Sequence, residues 1–278
     1  MSFKIILVHC DASEATSHRA DMAVGLAERF GAQLVGLHVR RPFEPPVGFG
    51  APNRLPMDEL LRTYDTAIKA DEAAASAAFA KSIEGRSVST QWRAVDGHIE
   101  TEIVAQARYA DLAIVGQGEA NVPGIPSSLP EGVALASGRP VLVVPRRGAA
   151  KPPGKVVMLC WNASREAARA ASDALPLLQG ADKVVVLVIA ASEPAPGRKQ
   201  ANADMAAWLK WHGVKFTIEH HSAPDADAGS VILSRAADCG VDLIVMGVYG
   251  HSRVRELVLG GASLTVLGAM TVPVFMAH

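Results

Sequence analysis

The 278-residue sequence has few cysteines, few aromatics and almost no net charge. Cys10, Cys160 and Cys239 are far apart and free of C-x-x-C spacing, which argues against a disulfide framework and a zinc site. A reducing cytoplasm fits such a chain best. The formal net charge is -1, so there is no basic field of the kind nucleic-acid binding needs, and no acidic tail. No apolar stretch approaches the ~18 residues of a membrane span. The opening M-S-F-K-I-I-L-V-H-C-D reads as a strand rather than a signal peptide, because its apolar run is short and a charged, turn-forming segment follows. Catalytic signatures are missing as well. There is no G-x-x-x-x-G-K-[ST], G-x-G-x-x-G, G-x-S-x-G or H-E-x-x-H, and no carboxylate pair whose spacing forces the two groups together. No catalytic residue is assigned. No metal ligand is assigned either: His220 and His221 are strand neighbours that point to opposite faces.

What the chain does have is an apolar fraction of 49% and an internal repeat. K-I-I-L-V-H-C-D-A-S (4 to 13) lies over K-V-V-M-L-C-W-N-A-S (155 to 164) at an offset of 151. L-V-G-L-H-V matches V-V-V-L-V-I at 150, A-D-L-A-I-V-G matches V-D-L-I-V-M-G at 131, and R-P-V-L-V-V-P matches V-P-V-F-M-A at about 133. The fall in offset places extra residues in the first copy, in the Pro/Gly-rich loop R-R-P-F-E-P-P-V-G-F-G. The copies divide at R-R-G-A-A-K-P-P-G, giving domains 1–147 and 154–278. Within each, unbroken β-branched runs separated by helical segments predict a parallel sheet covered on both faces. The first helix carries Ala20, Ala23, Val24, Ala27 and Phe30 and stops at Gly31; its counterpart carries Ala168, Ala171, Ala174, Leu175 and Leu178 before Gly180. A long second helix is expected over 57–84, with Leu60, Leu61, Tyr64, Ile68 and Phe79 on one side, and a shorter partner near 201–212. Cys10 and Cys160 stand at matching strand ends and read as small core residues.

In a parallel sheet, ligands sit beyond the carboxyl ends of the strands, where helix N-termini offer free N–H groups to anions. The segment G-V-Y-G-H-S-R-V-R-E-L-V-L-G-G-A-S, 247 to 263, follows such a strand, and its glycines read as clearance for a ligand. A plain strand-to-helix turn is the competing reading. The spacing G-x2-G-x9-G of Gly247, Gly250 and Gly260 resembles the nucleotide-binding motif of the universal stress protein family. The opening strand into D-A-S, the L-H-V strand, the A-D-L strand and the short final strand are similar to that family too, over both halves.

This resemblance implies two tandem domains, each a five-stranded parallel α/β sheet of Rossmann-like type, related by internal pseudo-twofold symmetry through paired last strands, Val141–Val144 and 272–276. It also implies an adenine-nucleotide site best preserved in the second copy: Asn162, Ile189, Gly247, Gly250, Arg253, Gly260, Gly261 and Ser263. Asn162 stands in the family's Asp position and Gly261 in its Ser/Thr position, so a charged acceptor and a hydroxyl are lost. In the first copy Asp11, Val39 and Gly116 match, but the loop after Gly116 carries three prolines and Glu119, so no triphosphate is expected there. Turn and capping roles account equally well for Asp11 and Asn162. A solvated loop face is as good a reading of Arg253 and Arg255 as phosphate contact, and Trp161 reads as core before it reads as an adenine-stacking residue.

Three functions follow as expectations. The first is a cytoplasmic stress-response module that binds ATP or AMP, with or without Mg2+, and presents its bound state to an unknown protein partner. The second is an interaction protein whose nucleotide site has decayed. The third, a slow ATPase, is least supported. Neither nucleic acid nor membrane is an expected partner, and pairs of chains are expected to associate as a homodimer.

Overall fold

The computed structural model describes residues 2–44, 56–118, 126–147, 151–190, 196–222, 227–248 and 261–278. The first half runs β1 (Ile5–His9), α1 (Ala15–Phe30), β2 (Gln33–Arg40), α2 (Met57–Ile83), β3 (Thr90–Asp96), α3 (Ile99–Ala107), β4 (Leu112–Gly116), α4 (Leu129–Ala136) and β5 (Val141–Val144). The second runs β6 (Val156–Cys160), α5 (Arg165–Asp173), α6 (Leu175–Gln179), β7 (Lys183–Ala190), α7 (Pro196–Trp211), β8 (Phe216–Ser222), α8 (Ala228–Asp238), β9 (Leu243–Gly247), α9 (Gly261–Ala269) and β10 (Val274–Ala277).

All ten strands form one sheet in the order β3-β2-β1-β4-β5-β10-β9-β6-β7-β8. Every pairing is parallel except the central one, where β10 meets β5 antiparallel with Phe275 opposite Leu142. The order reads the same from either edge, which is the pseudo-twofold relation the resemblance implies. Pairing the last strands covers an apolar edge on each half that would otherwise invite association. Side chains alternate between two buried layers: Ile6 and Val8 join α1, α2 and α5–α7 on one face, and Leu7 joins α3, α4, α8 and α9 on the other. Both layers run through β5 and β10, so the core is continuous across the halves.

The Asp of each A-D-L or V-D-L segment secures the edge away from the ligand end. Asp111 accepts hydrogen bonds from Lys4 and Ile5 N–H at 2.7 and 3.0 Å, and Asp242 accepts from Gly154, Lys155 and Val156 N–H at 3.0–3.1 Å. The connector packs on the first half. Pro152 lies where a side chain on Gly25 of α1 would stand, and Arg29 Nη1 donates to Pro153 O at 3.1 Å.

Several local expectations are corrected. The first helix of the second half is two helices, because Pro176 lacks the N–H that would continue α5. Its buried face comprises Ala167, Ala170, Ala171 and Ala174, and Ala168 is exposed. Helix α2 spans 27 residues, roughly 40 Å, against eight residues in β2. Its first turns overhang the sheet, so Leu61 is exposed and only Ile68, Ala75 and Phe79 are buried. Helix α1 ends as expected, with Gly31 left-handed at φ 60° and its N–H returned to the last turn. The final strand starts at Val274, two residues later than expected. Finally, Cys10 matches Trp161 and not Cys160: the N–H groups of Cys10 and Trp161 donate to the equivalent carbonyls of Leu37 and Leu187 at 2.8 and 2.9 Å. Cys160 therefore corresponds to His9, the last residue of β1.

Candidate functional site

In each half the chain leaves the first strand toward one neighbour and returns on the other side at the fourth, which opens a crevice at their carboxyl ends. The two crevices share a backbone plan and differ in side chains.

In the second half the crevice is a cavity of about 280 Å³ lined by Cys160, Trp161, Asn162, Ser164, Ala167, Leu187, Ile189, Ala228, Ile232, Met246, Gly247, Ala262 and Ser263. Four of the residues assigned from sequence, Asn162, Ile189, Gly247 and Ser263, meet here. Gly261 starts α9 beside them but does not line the cavity. Gly250, Arg253 and Gly260, and with them His251 and Arg255, lie outside the described residues. Asn162 is exposed, and its Oδ1 accepts from Ser164 N–H at 3.1 Å while Ser164 Oγ caps α5 by accepting from Ala167 N–H at 3.1 Å. The turn role is thus real, and it commits only the oxygen of the amide. Between them Ala163 takes φ 60°, a left-handed conformation unusual for a non-glycine residue.

Gly247 has a packing reason to be glycine. A Cβ there would stand 2.5 Å from the Glu166 carbonyl carbon and 2.7 Å from Ala167 N, so its clearance admits the start of α5, and the same residue lines the cavity. Trp161 is both core and lining: it is 8% exposed, and its indole N–H has no acceptor among the described residues. Burial pushes the Cys160 thiol up to about 12, so it is no nucleophile at neutral pH. Sequence inspection missed Asp227, which caps α8 by accepting from Ser230 N–H at 3.0 Å. Its Oδ1 lies 3.9 Å from where a Gly261 Cβ would be. Burial raises the Asp227 carboxyl, but hydrogen bonds from Ser230, Thr265 and Gly229 outweigh it and hold the group below the usual carboxylate range. It therefore sets a negative charge beside the helix start that sequence assigned to phosphate.

The equivalent cavity in the first half measures only about 50 Å³ and is lined by His9, Asp11, Gly116 and Arg19 among others. Asp11 and Gly116 are where sequence placed them, whereas Val39 is buried in the core and does not line the cavity. The filling residue is Arg19 of α1, 3% exposed. Its Nε donates to His9 O at 2.8 Å, and its Nη2 donates to Asp11 Oδ2 and Thr16 Oγ1, each at 2.9 Å. Asp11 also accepts from Ser13 N–H at 2.9 Å and from the Ser13 and Thr16 hydroxyls. The repeat offset aligns His9, Asp11, Thr16, Arg19 and His38 with Cys160, Asn162, Ala167, Ala170 and Val188. These five charged or polar residues of the first half thus have uncharged, mostly apolar counterparts in the second. Arg19 against Ala170 was visible in the repeat alignment; what it filled was not.

This network makes the fold acid-sensitive. Burial, reinforced by the Arg19 charge and opposed more weakly by Asp11, pushes His9 down to about 4. Burial would raise Asp11, but the Arg19 guanidinium, His9 and the Ser13 hydrogen bonds hold its carboxyl far below the usual range. Both folded-state values are depressed. Their contribution to stability is therefore complete above the unfolded values and is lost as pH falls through the folded ones. Urea unfolding at pH 7 and pH 4.5 should show a loss of roughly 2–3 kcal/mol at the lower pH. His9→Leu should flatten the part of that loss lying between about 6.5 and 4.

The fold and its cavities define a doubly wound α/β protein with crevices at its topological switch points. A profile of the universal stress protein family matches residues 2–145. The chain belongs to that family. Over 98% of this chain and 95% of the other, it superposes on a universal stress protein from Archaeoglobus fulgidus DSM 4304 with TM-score 0.73 and 18% identity. A functionally unknown protein from Pseudomonas aeruginosa PAO1 superposes over 99% of this chain and 92% of its own, with TM-score 0.58 and 14% identity. These likenesses extend the shared fold to both halves. A comparison with curated proteins finds no match. Among the described residues no helix is long and apolar enough to cross a membrane.

Proposed function

We propose that the second half binds an adenine nucleotide, ATP or AMP, at the crevice between β6 and β9, and that the bound state alters a surface read by a protein partner in a cytoplasmic stress response. The observation that carries this reading is the contrast at one aligned position. Arg19 fills the first crevice, while Ala170 leaves the second open at about 280 Å³, near the lower end of small-ligand pockets. Its lining suits a nucleoside: apolar walls from Leu187, Ile189, Ile232 and Met246, and a few polar groups in Asn162, Ser164 and Ser263. Among the described residues, no side chain lining it carries a formal charge. In this reading the phosphates face the start of α9 and the segment from Gly250 to Gly260, with Mg2+ accompanying ATP, and residues 1–147 and 154–278 act as two domains of unequal function.

The test is to purify the protein without added ligand, denature it, identify released nucleotide by chromatography and mass spectrometry, and titrate ATP, ADP and AMP by calorimetry. Co-purified or titratable adenine nucleotide is the expected result. Gly250→Asp should weaken binding by at least about tenfold, because a carboxylate would face the phosphates. If wild type releases no nucleotide and gives no heat at millimolar ligand, the chain is an interaction module and the glycine segment is a relic of a lost function.

A further inference from the structure

The first crevice is too small for a nucleoside, yet it is not chemically closed. Arginine carries five N–H donors in a rigid fork. Three of the Arg19 donors are answered, by His9 O, Asp11 Oδ2 and Thr16 Oγ1. Nη1, with two N–H groups, has no acceptor among the described residues. It lies over Gly116, 2.4 Å from where a Cβ would stand, and both residues line the cavity. Glycine at this position leaves room for the guanidinium edge to reach the crevice.

The rest of the lining supports one ligand chemistry. Arg146 brings a second guanidinium, which also donates to Gly118 O, and the first residue of α4, Leu129, sets the positive end of a helix dipole at the wall, whereas the Ser13 hydroxyl and the Gln117 amide are already committed to Asp11 and to Leu267 O. Asp11 opposes an anion, but Arg19 and its other donors already neutralise it. His9 is neutral at physiological pH. The cavity of about 50 Å³ holds a few waters, or one small tetrahedral ion in their place.

We propose that the first half holds a small oxyanion, of the size and charge of inorganic phosphate or sulfate, with Arg19 Nη1 as its inner donor and Arg146 as its outer one. This site differs from the nucleotide cavity in place, size and charge, and it stands whether or not the second half binds nucleotide. The ion would answer the Arg19 Nη1 donors and join α1, β4 and the segment after β5. A bound anion would thereby stabilise the first half specifically.

Two measurements test this together. Crystals soaked in selenate should show an anomalous selenium peak within hydrogen-bond distance of Arg19 Nη1. Calorimetric titration with inorganic phosphate should show saturable binding that persists when AMP is present in excess. Arg19→Lys keeps a cation beside Asp11 but removes the Nη1 fork, so it should fold, lose the peak and weaken phosphate binding by about tenfold. Arg146→Gln, in a more exposed side chain, should weaken it by about threefold. Only water at Nη1 in the soaked crystal, a selenate peak confined to the second half, or phosphate affinity unchanged in Arg19→Lys would each overturn the proposal. A peak in the crystal without saturable binding in solution would mark an adventitious ion only, and would overturn it as well.

Discussion

Ala170→Arg combined with Asn162→Asp is expected to weaken nucleotide binding by about 100-fold or more while leaving the chain folded. The pair transplants the contents of the first crevice into the second. Ala170 is fully buried on the wall of α5 that aligns with Arg19, and Asn162 aligns with Asp11. Arginine alone would be a buried cation without a partner, a change that costs several kcal/mol in its own right. The added carboxylate supplies that partner, with Ser164 N–H already placed to hold it as Ser13 N–H holds Asp11. The guanidinium then occupies the space a nucleoside would need. Fit is tighter than in the first half, because Gly247 clears the backbone of Glu166 and Ala167 whereas Gly116 clears the Arg19 side chain. A modest loss of stability should therefore accompany the loss of binding. Calorimetry with AMP and urea unfolding on the same preparation separate the two effects. Binding retained at wild-type affinity in a folded double variant would show that the nucleotide sits elsewhere.

Phe275→Ala should cost about 3–5 kcal/mol of unfolding free energy. Phe275 is the largest fully buried side chain among the described residues, and it sits on β10 opposite Leu142 of β5, where the two half-sheets become one. Truncation leaves a cavity in the layer that runs through both halves, and rigid backbone on either side limits collapse. The urea midpoint should fall with little change in slope. Tyr109→Ala, at 76% exposure, is the control and should stay within about 0.5 kcal/mol of wild type. A seam variant no less stable than the control would mean that the halves do not depend on this junction.

The sequence carried the fold well for a definite reason. Strands buried on both faces leave apolar runs that survive duplication, so β1 and β6, or β4 and β9, could be matched in the repeat, and the five-stranded halves joined through their last strands followed from the family likeness. Helix boundaries were legible where a residue enforces them, as at Gly31, and misread where the signal was composition alone, as at Pro176 and in the overhanging turns of α2. The candidate site was legible in part. Asn162, Ile189, Gly247 and Ser263 do converge, but that Gly247 also clears the start of α5 was not legible, because nothing in a sequence says whether a glycine clears a ligand or a helix. Arg19 was missed for a similar reason. Alone in an amphipathic helix it reads as a surface cation, and only its pairing with Asp11, eight residues away around a turn, shows that it faces inward. Asp227 gave no signal, since its proximity to Gly261 depends on α8 packing against α9 through Gly229.

In the proposed function, one crevice of the two serves the nucleotide. The most direct test is equilibrium dialysis of the wild-type chain with radiolabelled AMP and ATP, scored as moles bound per mole of chain at saturation. A single saturable site per chain, lost in the Ala170→Arg/Asn162→Asp variant, is the predicted result. Equal occupancy of both halves, or a single site that survives in the double variant, would contradict it.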